Sequence, residues 1–149
     1  LEPKYDVTFY GTVNNNYEQI FRKRLDETKN ALNGGYLNLQ TYAGYEELAG
    51  FHAMLFPTFW HGEGFPGVLL DSFIAGVPVI ASDWSINSEI IKHEFNGLLI
   101  KSRDEEELNN AMLYFITSPH LVIEMSKNCL HDVEQYNYQN VLSGLRNQL

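Results

Sequence analysis

Three segments of the chain are apolar without the alternation that marks a half-exposed strand: residues 54–58, 78–82 and 97–100. Unbroken apolar runs of this length are typical of strands that are covered on both faces, as in a parallel sheet. The segments between them, 67–76 and 87–94, are predicted as helices, the first with its apolar residues on one face. Strands that alternate with helices predict an α/β fold, in which a parallel sheet has helices on both faces.

The rest of the chain continues this alternation. A first strand is predicted from the β-branched and aromatic residues at 5–13, and Asn33, Gly34 and Gly35 predict the end of a helix. The other predicted elements are a strand at 36–42 and helices at 17–32, 45–53, 104–117, about 119–135 and 138–148, which give the chain a helical C-terminus. Ligands of such sheets bind beyond the carboxyl ends of the strands, so we expect the site there.

Length and composition restrict the class of protein. The 149 residues are predicted to form one domain, 1–149, and the formal net charge of −9 disfavours binding of nucleic acid or anionic lipid. The apolar runs are too short to span a bilayer, and the first residues lack the pattern of a signal peptide. The single cysteine, Cys129, excludes an internal disulfide and is interpreted as an apolar core residue. We therefore expect a cytoplasmic protein.

The segment HGEGFPG contains the spacing G-x-G-x-x-G at Gly62, Gly64 and Gly67. Asp83 follows at the distance expected for the acid that binds a ribose in dinucleotide-binding proteins. In those proteins, however, the first glycine directly follows a strand. Here residues 59–61 separate the predicted strand from Gly62, so we do not expect a dinucleotide site.

Charge also argues against a dinucleotide site. Glu63 would lie beside the pyrophosphate, and the chain has no Lys or Arg between Lys29 and Lys92 to offset that negative charge. A phosphate bound here would depend on backbone N–H groups and on the N-terminus of the following helix. Any cationic group that binds it must come from elsewhere in the protein.

The glycine-rich segment nevertheless suits an anion. Pro66 fits the first turn of a helix, and Gly64 and Gly67 let a ligand approach the backbone. Alternatively, the glycines only shape a turn between a strand and a helix. Two carboxylates, Glu63 and Asp71, flank this helix start and could accept hydrogen bonds from sugar hydroxyls on either side of a diphosphate. This arrangement indicates a nucleotide sugar.

The segment 55–100 resembles the donor-binding, C-terminal half of the retaining GT-B glycosyltransferases, in the large family-4-like (group 1) set. It is most similar to the members that build capsular or other surface polysaccharides. The resemblance implies a Rossmann-like sheet, as in the C-terminal half of a GT-B enzyme. The shared motifs are Pro57-Thr58, Glu63-Gly64-Phe65, Gly76 to Ala81, Glu89-Ile90-Ile91 and Asn96 to Leu99.

The resemblance implies a role for each candidate residue. Glu63 would be the catalytic residue and would contact hydroxyls of the donor sugar. Asp71, where the family usually has Glu, would hold the ribose. The diphosphate would face the backbone at Gly64, Phe65, Pro66 and Gly67, of which Pro66 has no N–H to donate. Further contacts with the sugar or the base are implied for His61 and for the turn formed by Tyr42, Ala43 and Gly44.

The reaction that the resemblance implies is transfer of a hexosyl group from a nucleotide sugar to a hydroxyl group of a saccharide or lipid-linked acceptor. The configuration at the anomeric carbon would be retained. The donor is a substrate, so no cofactor is implied, and the sequence contains no D-x-D metal motif. Synthesis of surface polysaccharide or glycolipid would bring such a protein to the inner face of the membrane as a peripheral protein at most.

Two parts of the family pattern have no counterpart in this sequence. The Arg and Lys that bind the diphosphate lie on an earlier β-α unit in the family, and the N-terminal acceptor-binding domain is absent. The resemblance therefore implies a donor-binding domain that is truncated on its N-terminal side and does not catalyse transfer alone. Two alternatives stay open: a nucleotide-sugar epimerase of related fold, and a non-catalytic α/β nucleotide-binding or interaction module.

Overall fold

A computed structural model describes residues 5–62, 64–137 and 139 of the chain. The chain divides into two compact units, Leu1–Gly44 (unit 1) and Tyr45–Leu149 (unit 2). Each unit has its own parallel sheet. The assignment of 1–149 to a single nucleotide-sugar-binding domain stays a prediction.

Unit 1 is a β-α-β arrangement. Its elements are strand β1 (Val7–Tyr10), helix α1 (Glu18–Glu27) and strand β2 (Ala31–Gly35). The two strands are parallel, with Val7 opposite Ala31, and the register shifts between Phe9 and Tyr10. Phe21 of α1 packs edge-on against Phe9, with 5.4 Å between the ring centroids, which places the helix against the sheet.

Two predictions for unit 1 are wrong. The first helix ends at Glu27 and not at residue 32, and the second strand is Ala31–Gly35 and not 36–42. The strand passes through Gly34, where an added Cβ would collide with the Tyr10 ring and with Thr8. Close pairing with β1 therefore requires glycine at a position that the sequence pattern assigned to a helix stop.

Unit 2 contains a three-stranded parallel sheet. The strands are β3 (Met54–Phe56), β4 (Val79–Ser82) and β5 (Gly97–Ile100), in the order β3-β4-β5. Helix α2 (Tyr42–Ala49) precedes β3 and begins before the boundary between the units. The other helices are α3 (Gly67–Ile74), α4 (Asn87–Ile90), α5 (Glu105–Thr117) and α6 (Pro119–Asp132), which a 3₁₀ turn extends over Val133–Tyr136.

Successive residues of β4 face opposite sides of the sheet. Val79 and Ala81 belong to one hydrophobic core, shared with residues of α3, whereas Ile80 belongs to a second core, shared with residues of α5. Helix α6 contributes Cys129 to the first core and Met125 to the second. All four residues of β4 are buried, so its unbroken apolar pattern reflects, as predicted, a strand that is covered on both faces. The α/β fold with a parallel sheet, helices on both faces and a helical C-terminus is confirmed.

The helix predicted at 87–94 is shorter than expected. It ends at Ile90, and the chain then turns around the buried side chain of Asn96. Asn96 Oδ1 accepts a hydrogen bond of 2.8 Å from the Lys92 amide, and Asn96 Nδ2 donates to the Ile90 carbonyl at 3.2 Å. The Asn96 side chain thus forms hydrogen bonds with backbone groups that would be paired within a longer helix. The helix predicted at 138–148 lies outside the described residues, apart from Gln139.

Candidate functional site

The glycine-rich segment forms a long loop between β3 and α3. Strand β3 ends at Phe56 and α3 begins at Gly67, so residues 57–66 connect them. The Ser82 hydroxyl, at the end of β4, donates a hydrogen bond to the Thr58 carbonyl and ties the loop to the carboxyl edge of the sheet. The loop therefore lies where ligands bind in parallel sheets, and Gly62 does not directly follow a strand as a dinucleotide fingerprint requires.

The predicted phosphate-facing residues lie at the start of α3. Pro66 is the N-cap and is buried, Gly67 is the first helical residue, and Gly64 and Phe65 are exposed. The Pro66 carbonyl accepts from the Leu69 amide at 3.0 Å, and Pro66 provides no side-chain cap for the first turn. The predicted catalytic residue, Glu63, lies outside the described residues, so its role stays a prediction.

Three glycines of this segment differ in what surrounds them. Apart from its chain neighbours and the adjacent helix backbone, a Cβ added at Gly64 or Gly67 would have no atom of the described chain within 4 Å, and neither residue has a positive φ. A Cβ added at Gly62 would lie 2.8 Å from the indole ring of Trp60. The described protein thus gives a steric reason for glycine at 62 but none at 64 or 67, where the open space is available to a ligand.

Asp71 lies one turn inside α3 and is half-buried. Its Oδ1 accepts a hydrogen bond of 2.5 Å from the hydroxyl group of Tyr45, on α2. This bond, together with burial, raises the pKa of Tyr45 to about 12. Sequence reasoning found Asp71 but missed Tyr45, because the two residues are 26 positions apart and no motif links them.

Aromatic side chains connect the loops that follow the three strands of unit 2. Trp84 Nε1 donates to the Trp60 carbonyl at 3.0 Å, and the Trp84 ring meets the ring of His61 edge-on, with 4.9 Å between centroids. The guanidinium of Arg103 lies 4.4 Å from the centroid of the Phe59 ring. His61 is thus exposed at the carboxyl edge, as predicted, and Arg103 brings to these loops a positive charge that sequence reasoning missed.

The predicted turn at Tyr42, Ala43 and Gly44 is wrong as a structural assignment. These residues form the first turn of α2, and the Gly44 amide donates to the Thr41 hydroxyl oxygen at 3.2 Å. An added Cβ at Gly44 would collide with the backbone carbonyl of Asn38, so a close chain crossing requires this glycine. Their predicted contact with the base stays a prediction.

Unit 1 has polar residues at its own carboxyl edge. The amide of Gly11, just beyond β1, donates at 2.7 Å to the carbonyl of Gly35, the last residue of β2. Gly11 has a φ of 118° and Gly35 a φ of 72°, conformations that favour glycine. A depression of about 330 Å³ opens there, and its lining residues are Gly11, Thr12, Val13, Asn15, Glu18, Arg22, Asn33 and Gly35.

Asn87 begins α4 and is fully buried. Its Nδ2 donates to the Ser82 carbonyl at 3.0 Å and so fixes the turn that follows β4, while its Oδ1 has no hydrogen-bond partner within the described residues. The donated bond gives Asn87 a role in capping the turn after β4.

The described residues provide neither a cluster suited to a metal ion nor a helix suited to crossing a membrane. In that part of the chain, no group of three or more His, Cys, Asp or Glu side chains is arranged to hold a metal ion. Nor does any helix there combine the length and apolar character needed to cross a membrane.

The chain is similar in sequence to a described protein family and to individual known proteins. Residues 2–132 match the family described as glycosyl transferases group 1. The chain is 34% identical over 77 residues to the UDP-Gal:α-D-GlcNAc-diphosphoundecaprenol α-1,3-galactosyltransferase of Escherichia coli. That alignment covers 52% of this chain and 19% of the E. coli enzyme.

Two solved structures share the fold. HepE of Anabaena in complex with UDP is similar over 97% of this chain and 42% of its own, with a TM-score of 0.79 and 17% identity. Sucrose-phosphate synthase of Thermosynechococcus elongatus is similar over 99% of this chain and 39% of its own, with a TM-score of 0.79 and 18% identity. The chain thus spans less than half the length of each of these relatives, and the likeness supports the predicted GT-B type of fold.

Proposed function

The chain belongs to group 1 of the glycosyl transferases, and from this premise we propose that it binds the nucleotide-sugar donor of a glycosyltransferase. The observation that carries the proposal is the position of Asp71. It lies one turn into α3, the helix that follows the loop at the carboxyl edge of the sheet, and its carboxylate accepts a hydrogen bond from Tyr45. A carboxylate fixed at this place suits the ribose of a nucleotide whose diphosphate faces the helix N-terminus.

Several residues of the glycine-rich loop and of the start of α3 have a role in this proposal. The amides of Gly64, Phe65 and Gly67 face the diphosphate, and the open space at both glycines admits it. Glu63 contacts hydroxyls of the donor sugar and is the catalytic residue. His61 lies on the same loop and contacts the sugar, while Tyr42, Ala43 and Gly44 lie near the base.

The proposed reaction is transfer of a hexosyl group with retention at the anomeric carbon. The bond between that carbon and the diphosphate oxygen breaks, and the acceptor hydroxyl oxygen forms a new bond on the same face of the sugar. The proton of that hydroxyl passes to the leaving diphosphate. The N–H groups at the helix N-terminus stabilise the negative charge that develops on the diphosphate, and they therefore favour its departure.

The relatives support a uridine nucleotide and a lipid-linked or saccharide acceptor. HepE was solved with UDP, and the E. coli enzyme is named for transfer from UDP-Gal to a sugar on diphosphoundecaprenol. By analogy we propose a role in surface polysaccharide or glycolipid synthesis, in the cytoplasm or peripherally at the inner face of the membrane. The family match favours this transferase over the epimerase and the interaction module.

We further propose that residues 1–149 supply the donor-binding part of a two-domain enzyme. Almost all of this chain, 97% and 99%, is matched by HepE and by the sucrose-phosphate synthase, but it spans only 42% and 39% of those two proteins. Acceptor binding, and the Arg and Lys that bind the diphosphate in this family, would then belong to other parts of the enzyme.

Calorimetric titration of the chain with UDP, GDP, UDP-sugars and NAD tests the proposal. We expect a nucleoside diphosphate to bind and Asp71→Ala to weaken it by about tenfold or more, the equivalent of one hydrogen bond to a charged group. Glu63→Ala should weaken the UDP-sugar more than it weakens UDP. The matched control is Glu124→Ala, on the exposed face of α6, which should leave affinity unchanged. Binding of NAD in place of the other nucleotides would refute the proposal.

A further inference from the structure

A hydrogen bond links α2 to α3 beside the proposed nucleotide site. The hydroxyl of Tyr45 donates to Asp71 Oδ1 at 2.5 Å, and both side chains are half-buried. This distance is typical of a hydroxyl group bound to an ionised carboxylate. In the described part of the chain, the second oxygen, Oδ2, makes no hydrogen bond. One oxygen of Asp71 is therefore held by the protein and the other is available.

The hydrogen bond restricts the orientation of the carboxylate. The terminal torsion of an Asp side chain has a broad distribution, so packing along the helix alone does not fix the plane of its two oxygens. Tyr45 is anchored on another helix, and its rigid ring places the hydroxyl at a defined point. The orientation of the carboxylate plane is thus fixed before a ligand binds, and this reduces the entropic cost of binding.

The pair also presents acceptors only. A tyrosine hydroxyl has one proton, and in Tyr45 that proton is donated to Asp71, so the phenol oxygen can only accept further hydrogen bonds. The ionised Asp71 carboxylate likewise only accepts. A ligand group that matches this pair must donate twice from adjacent atoms, as the 2′ and 3′ hydroxyls of a ribose do. Phosphate oxygens cannot do so.

We propose that Tyr45 is a positioning residue, which holds the Asp71 carboxylate so that the pair selects a ribose diol over a deoxyribose. This inference rests on the proposed function, because it requires that a nucleotide binds at α3. It goes beyond a general role of the acid in ribose binding, since it assigns the discrimination to a residue on a different helix.

The test is calorimetric titration of the chain with UDP, 2′-deoxy-UDP and 3′-deoxy-UDP, or with the guanosine set if GDP is the nucleotide bound. The wild-type chain should bind the diphosphate with the intact diol at least about tenfold more tightly than a deoxy analogue. Tyr45→Phe removes one oxygen atom and should bring the ratio for at least one analogue close to one. Tyr114→Phe, the same change on α5, should leave both ratios as in the wild type.

The possible results distinguish a failure of the inference about Tyr45 from a failure of the proposed function. If Tyr45→Phe weakens UDP and both analogues by the same factor, or changes nothing, the inference is wrong while the proposed function stands. If no nucleoside diphosphate binds the wild-type chain, the proposed function and the inference fail together. Asp71→Asn, which keeps the shape of the side chain, should abolish the discrimination in the wild-type and in the Tyr45→Phe background alike.

Discussion

Asn96 and Asp132 are joined by a hydrogen bond of 2.9 Å inside unit 2, from Nδ2 to Oδ2. Lys92 contacts the same carboxylate, with Nζ 2.8 Å from Oδ2. Asn96 is fully buried and Asp132 nearly so, although neither residue type is common in a core. The bond connects the segment before β5 to the end of α6, and thereby anchors the last helix to the sheet.

Replacement of Asn96 should therefore destabilise the fold. Asn96→Ala leaves the Lys92 amide and the Ile90 carbonyl without their buried partner, and Asp132 loses a donor. We expect a loss of about 3 kcal/mol in the free energy of unfolding, measured by urea denaturation. The control Asn110→Ala, at an exposed position of α5, should change it by less than about 0.5 kcal/mol. Equal effects of the two variants would contradict a structural role for Asn96.

Alanine at Gly67 and Gly64 should separate ligand binding from stability. Neither residue has a positive φ or a neighbour within 4 Å of an added Cβ, so the free energy of unfolding should stay within about 1 kcal/mol of the wild type. Nucleotide affinity should fall about tenfold or more, because the methyl group occupies space proposed for the diphosphate. Paired unfolding and calorimetric measurements check both expectations. A variant with unchanged affinity would place the diphosphate elsewhere.

Gly62→Ala is the contrasting variant. An added Cβ would lie 2.8 Å from the Trp60 ring, so the indole must move. We expect a change in tryptophan fluorescence for Gly62→Ala and none for Gly64→Ala in the absence of ligand. The chain has one other tryptophan, Trp84. If the fluorescence change comes from Trp60, it should therefore be lost when Gly62→Ala is made in the Trp60→Phe variant.

The phenol of Tyr45 should titrate at a pKa of about 12, above the ordinary value of 10. The folded state favours the neutral phenol, so the stabilisation is complete below pH 10 and is lost as the pH rises through about 12. Phenolate absorbance, compared between wild type and Tyr45→Phe, isolates this group from the other tyrosines. Asp71→Asn should lower the pKa of Tyr45, because it weakens the hydrogen bond that holds the phenol proton and removes the charge that opposes ionisation. A Tyr45 pKa unaffected by Asp71→Asn would show that burial alone causes the shift.

Cys129 should serve as a reporter of unfolding. It is fully buried, and burial raises the pKa of its thiol to about 12, so the nucleophilic thiolate is scarce near neutral pH. A disulfide reagent should label the folded chain only as fast as it opens, and should label the chain in urea at once. Since the chain has one cysteine, the signal has a single source. Rapid labelling without denaturant would contradict the buried position.

The strands of unit 2 could be located from sequence because their burial is a local property of composition. All four consecutive residues of β4 are buried, so the strand lacks the alternation of a half-exposed strand. This pattern can be recognised without knowing which elements pack against the strand. The start of α3 was equally legible, since Pro66 and the glycines around it have few alternatives. In unit 1 the same reasoning failed at Gly34, where the partner strand and not local propensity required the glycine.

Sequence reasoning thus identified the class of fold and singled out the glycine-rich loop and Asp71 as candidates for the site, because each of these depends on residues close together in the chain. It could not identify Tyr45, Arg103 or the Asn96–Asp132 bond, because each depends on residues that only folding brings together. Tyr45 and Asp71 lie 26 positions apart and share no periodicity, yet their side chains meet at 2.5 Å. The spacing of residues along the chain indicates which functional groups a site can contain. Packing of the helices on the sheet determines the distances between these groups and their orientation, and therefore their chemistry.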